Sequence, residues 1–168
     1  NASSYLGLVL GFRGRYHEAA DITDRFREVA VGINDLQAYG MMLLASAHAA
    51  RGRGDPDGAI DHLERGLRLR GDTVEHDIST VYLFEGTDIL NWLSRGTDVD
   101  PATVERGVAL LRGLAEQLDA TAPSIGLPPV LAVRNALGGA ARLHLRLLGG
   151  ETVDRDELHQ AMACHADG

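Results

Sequence analysis

Apolar residues recur along this chain at intervals of three and four, the spacing that puts them on one side of a helix. Ala19, Ile22, Phe26 and Val29 form one such stripe, and Leu36, Tyr39, Leu43, Ala47 and Ala50 form the next. Ile60, Leu63 and Leu67 continue the series, followed by Val81, Phe84, Ile89, Trp92 and Leu93. Val104, Val108, Leu111, Leu114 and Leu118 make a long stripe, and Val130, Val133, Leu137, Ala141 and Leu148 another. Leu158 and Met162 close the pattern. No stretch alternates with period two, and β-branched residues do not gather as they do in strands. The pattern predicts an all-α chain of eight helices.

Start and stop signals sit where these stripes break. Arg13-Gly14-Arg15 is a turn after a first helix over about residues 4–12, and Gly32 fits a helix end. Asn34 with Gln37 three residues on is the pattern of a capping box. Asp55-Pro56 and Asp100-Pro101 each place an N-cap acid before a proline at the first helical position. A longer connection, residues 121–128, interrupts the rhythm; Gly149-Gly150 ends a helix, and Asp154 with Glu157 suggests a second capping box. The helices fall into four pairs, at about 4–31, 34–70, 77–120 and 129–165.

The decisive segment is Gly54-Asp55-Pro56-Asp57-Gly58-Ala59-Ile60-Asp61-His62-Leu63. It resembles the turn and second-helix start of a tetratricopeptide repeat, where small residues let two antiparallel helices cross closely. Gly14-Arg15-Tyr16-His17-Glu18-Ala19-Ala20 shows the same pattern, with the Tyr that the family prefers at Tyr16. Gly7, Ala47 and Gly66 fall at other small positions, and Gly86 and Gly107 are counterparts in the third pair. Gly14 to Gly54 and Ala19 to Ala59 are both 40 residues, longer than the family's unit of about 34. The resemblance is best over residues 4–70. It implies an α-α superhelix, right-handed, whose first helices line a concave face; on the second pair that face carries Met41, Leu44, Ala45 and His48. These are the expected peptide-binding residues. Their apolar character departs from the cationic clamp that chaperone-binding members use. Degenerate arrays of this kind resemble those within large bacterial transcriptional regulators, which implies a cytoplasmic regulatory or scaffold segment.

Charge and composition narrow the function further. The 168 residues are 45% hydrophobic and 24% charged, a globular balance, while aromatics are only 5%. All 16 basic residues are Arg, which fits codon usage in a GC-rich genome. A net charge of −8 argues against a phosphate-binding face, so nucleic acid is not an expected partner. Asp61 with Arg65 and Glu64 with Arg68 have the spacing of exposed helix pairs. No apolar run approaches the ~20 residues that span a bilayer. Cys164 is the single cysteine, which excludes an internal disulfide. Asn1-Ala2-Ser3 reads as the scar of a removed tag, and the chain as an excerpt from a longer protein.

Candidate chemistry is sparse. Arg53-Gly54-Asp55 spells an adhesion tripeptide but lies in a helix-pair turn. Asp55, Asp57 and Asp61 lack the glycine and glutamate spacing of a calcium loop. Gly52, Gly54 and Gly58 follow a helix rather than a strand, so they are not a dinucleotide fingerprint, and without Lys there is no P-loop. His159, Cys164 and His165 do not share a helix face, so no metal or thiol centre is expected. His48 and His144 are expected as partly buried, hydrogen-bonded residues, and Arg142, His144 and Arg146 as a small basic spot. No catalytic residue or cofactor is expected. The reading is a module that binds a protein or peptide; the alternative is a small-molecule pocket among helices five to seven, beside Trp92 and the 121–128 loop. Open helical stacks expose apolar ends, so a homo-oligomer fits as well.

Overall fold

The computed structural model describes residues 2–69, 77–93, 95, 99–120, 128–157 and 159. The described residues are helical with no strand. Seven helices run α1 (Ala2–Phe12), α2 (Tyr16–Gly32), α3 (Leu36–Gly52), α4 (Pro56–Leu69), α5 (Asp77–Leu93), α6 (Pro101–Ala120) and α7 (Pro128–Leu148). A helical turn at 155–157 follows. The predicted connection at 121–127 and most of the predicted last helix lie outside the described residues.

One turn, used repeatedly, sets the architecture. After α1 the Arg15 amide donates to Leu10 O and the Gly14 amide to Gly11 O, both at 2.9 Å, with Gly14 at φ +75°. This is a Schellman turn, whose left-handed residue turns the chain back while satisfying the last helical carbonyls. The same bonds recur from Asp35 to Ala30 O (2.9 Å), from Asp55 to Ala50 O (3.0 Å) and from Glu151 to Arg146 O (3.0 Å). The left-handed residues are then Asn34, Gly54 and Gly150. Gly14, Asn34 and Gly54 are 20 residues apart, so the first four helices share one register. Asn34 therefore ends α2 rather than opening α3. The N-cap of α3 is its neighbour Asp35, whose Oδ1 accepts from the Ala38 amide at 2.9 Å, which corrects the capping box expected from Asn34 and Gln37. Asp55 and Asp100 cap as expected, accepting from the Gly58 amide at 2.9 Å and the Ala102 amide at 3.1 Å.

Three-residue turns at 13–15, 33–35 and 53–55 fold α1 to α4 back against one another. Each helix touches only those one or two places along the chain: α1, α3, α5 and α7 form a row, and α4 packs against α6 beside it. Small residues sit at the close approaches. Ala19 and Ala59, the matched pair at 40-residue spacing, are both fully buried. A Cβ on Gly7 would come within 2.8 Å of Thr23 Cγ2, and one on Gly86 or Gly107 within 2.9 Å of a leucine of the neighbouring helix. The principal core joins Leu43, Ile60, Leu63, Leu90, Leu111 and Leu114 from α3 to α6. Tyr82 crosses it and donates from Oη to Gly40 O at 2.6 Å.

Candidate functional site

The four residues expected to line a groove do not form one. α3 is the most enclosed helix, with residues 42–50 all buried, because α1, α2, α4 and α5 surround it. Ala45 lies against Gly7 of α1, and Leu44 joins the principal core. His48 packs beneath the Phe12 ring, 4.7 Å between centroids. Only Met41 is partly exposed. These side chains fill the contacts between helix pairs, so no open lining remains for a guest.

His48 instead belongs to a polar cluster that sequence reasoning missed. Its Nδ1 lies 3.0 Å from Glu85 Oε2 on α5, to which it donates when it carries the proton, and 3.1 Å from Arg51 Nη2, from which it accepts when it does not. Arg51 Nε donates to Glu85 Oε1 at 2.7 Å, and Arg51 Nη2 lies 3.3 Å from Asp88 Oδ2. Burial alone would raise the Glu85 carboxyl, but the hydrogen bonds from His48 and Arg51, with the Arg51 charge, hold it below its ordinary value. Burial raises the Asp88 carboxyl. The cluster ties the second helix pair to the third. It contains a base and carboxylates but is closed: Glu85 is 3% exposed and His48 8%. The signal was a pair of acids, Glu85 and Asp88, three residues apart within a largely apolar helix.

A second set is superficial. Arg106 of α6 reaches Asp57 at 3.1 Å, Asp61 at 2.5 Å and Glu64 at 3.4 Å on α4. Asp61 is thus used between helices, while Glu64 also sits 3.8 Å from Arg68 as its spacing predicted. On α7, Arg146 pairs with Glu151 at 2.8 Å and Glu157 at 3.1 Å, so that basic position is neutralised locally. Asp154 caps the following turn, accepting from the Glu157 amide at 2.7 Å. His144 leaves Nε2 buried without a partner, and burial, then Arg95, lowers its pKa.

Among the described residues no group of three His, Cys, Asp or Glu side chains is placed to hold a metal, and no helix is long and apolar enough to cross a membrane. Cys164 and His165 lie outside the described residues. Trp92 is half-buried and packs against the principal core.

The exposed apolar surface is concentrated at one end. Among the described residues ten large hydrophobics are exposed, and eight of them lie in or just after α1 and α2: Tyr5, Leu6, Val9 and Phe12 on the first, Phe26, Val29, Val31 and Ile33 on the second. The other two are Leu147 and Leu148. Tyr5 is 61% exposed, Phe12 67% and Ile33 69%. Set against protein-family models, curated proteins and solved structures, the chain has no match.

Proposed function

We propose that this chain is a non-catalytic helical-repeat module of tetratricopeptide-like character, a regulatory or scaffold segment of a larger cytoplasmic protein, whose first helix pair receives a protein partner. The observation that carries the reading is the eight exposed apolar side chains of residues 5–33. Eight large hydrophobics exposed within about thirty residues are an unusual density for a helical domain, and Tyr5, Val9 and Phe12 share one face of α1. The partner surface lies on α1 and α2, not on the Met41–His48 face of α3. Titratable clusters support catalysis less, since among the described residues the buried His48–Glu85 set is closed by its own ion pairs.

Selection from a displayed library of helical peptides tests the idea. Enriched peptides should bind wild type and lose at least tenfold in affinity against Val29→Glu/Ile33→Glu, with amide shifts confined to residues 2–33. Peptides whose shifts map to α5–α7, or affinity indifferent to the double substitution, would count against it.

A further inference from the structure

The backbones of α2 and α4 do not touch: their Cα atoms come no closer than 8 Å, and side chains alone bridge the first helix pair to the second along this side. Arg27 of α2 and His62 of α4 meet there electrostatically, and both are half-buried. Among the described residues three shielded side-chain nitrogens lack a hydrogen bond: Arg27 Nη1, His62 Nδ1 and His144 Nε2. Two of the three therefore belong to one corner of the molecule. Buried polar groups are normally paired, so the coincidence calls for a physical reason.

The charges around His62 are unevenly matched. Burial weighs most against its charged form, followed by the guanidiniums of Arg27 and then Arg65. Asp24 and Asp61 pull the other way, but both are already engaged. Asp24 Oδ1 lies 2.9 Å from Arg27 Nη2, and Asp61 Oδ1 accepts from Arg106 Nη2 of α6. Glu64 of α4 faces Arg106 and Arg68, while Arg51 of α3 and Glu85 and Asp88 of α5 are gathered around His48. A neutral imidazole with its proton on Nε2 leaves Nδ1 a bare acceptor, which tolerates a guanidinium nearby. A protonated one carries N–H on both nitrogens. At Nδ1 that N–H would be shut away from water without an acceptor, in the field of two cations.

We propose that His62 is an acid-released latch between the first two helix pairs: neutral, it lets Arg27 fold in beside α4, and on taking up a proton it expels Arg27 and loosens the C-terminal half of α2. The direction follows from the surroundings of the ring. His62 is held below its ordinary value of 6.5, so the latch is fully closed above that pH and is lost as pH falls through 6.5 toward the folded value. One proton sets the ceiling, about tenfold in the opening equilibrium per pH unit.

Two measurements on the full chain test this at about pH 7.5, 6.5 and 5.5, across the range in which histidine titrates. Amide hydrogen exchange, corrected for its intrinsic rate, reads the opening of α2, and the Cε1–Hε1 resonance of His62 reads its proton. Between the two lower values, protection at residues 24–32 of wild type should fall by about three- to tenfold, while α6 keeps its own. His62→Asn keeps an acceptor close to the place of Nδ1 and takes no proton, so the loss at residues 24–32 should disappear. Arg27→Gln should raise the pH at which His62 titrates. A His62 resonance that titrates at or above pH 6.5 overturns the latch, as does a titration unmoved by Arg27→Gln. So does protection of α2 that ignores pH in wild type, or that falls equally in His62→Asn. Should the Asn variant fail to fold, the wild-type titration and Arg27→Gln decide.

Discussion

Replacing Glu85 with Gln keeps the shape of a side chain that is 3% exposed while removing its charge. The carboxylate accepts from two donors, His48 Nδ1 at 3.0 Å and Arg51 Nε at 2.7 Å. Gln offers one acceptor oxygen and turns a donor toward the second partner, so one charge-assisted bond is lost, a term of about 1.5–3 kcal/mol. Arg51 is about a quarter exposed and already 3.3 Å from Asp88, so it can recover part of that. The expected cost is about 2 kcal/mol for Glu85→Gln and about 3 for Glu85→Ala, the low end for breaking a buried pair. In a domain of this size 2 kcal/mol lowers Tm by roughly 4–8 °C. The pH dependence adds a sharper check. Glu85 is held below its ordinary value of 4.5, so its contribution is fully present above that pH and is lost as pH falls through 4.5 toward the folded value. The raised Asp88 acts in the opposite sense, and because the Glu85 charge is part of what raises it, Glu85→Gln relieves some of that rise and offsets part of the narrowing. Urea unfolding followed by far-ultraviolet circular dichroism at pH 7 and at successively lower pH measures both effects. The gap between wild type and Glu85→Gln should narrow on acidification. A gap below about 0.5 kcal/mol at pH 7, or one that does not change with pH, would refute the assignment of the buried charge as a net clasp between α3 and α5.

Two further outcomes follow from the packing. Gly66→Ala places a Cβ 2.1 Å from the Tyr82 ring, which its bond to Gly40 O holds in place, so the urea midpoint should fall by the equivalent of about 1–2 kcal/mol after the better helix propensity of Ala is allowed for. An unchanged midpoint would mean the ring is free to move. Gly54→Ala meets no atom within 4 Å, so its cost is the left-handed backbone at φ +78°, about 1 kcal/mol, and Gly14→Ala should match it in a thermal melt. Asn34→Gly, at φ 56°, should change stability in the opposite direction; destabilisation there would argue against a shared turn.

Local chemistry was legible in the residues. Gly14 and Gly54 mark turns because few other residues adopt their backbone, and Asp55-Pro56 and Asp100-Pro101 mark helix starts because both members suit the first turn. Asn34 and Asp35 are each competent caps, and the choice between them depends on the register of the turn; position 34 lies midway in the 40-residue spacing of Gly14 and Gly54, where a third left-handed residue falls. The face of α3 could not be read, because Leu44, Ala45 and His48 belong to a helix apolar on nearly every side, and no stripe says which side faces neighbours. Glu85 finds its partners 37 and 34 residues away, at His48 and Arg51, and no local spacing announces a pairing across helices. On α1 the apolar stripe is ordinary; its exposure comes from its place at the end of the row, a property of the assembly of helices and not of the stripe.

Since no helix among those described reaches past its second neighbour, the chain behaves more like a strip than a ball. Its free energy is approximately a sum over adjacent interfaces, and contacts between near neighbours need only short loops to be closed, which favours rapid folding. Loss of α7 from α5 and α6 removes no contact made by α1 to α4, so melting can begin at an end and stop partway.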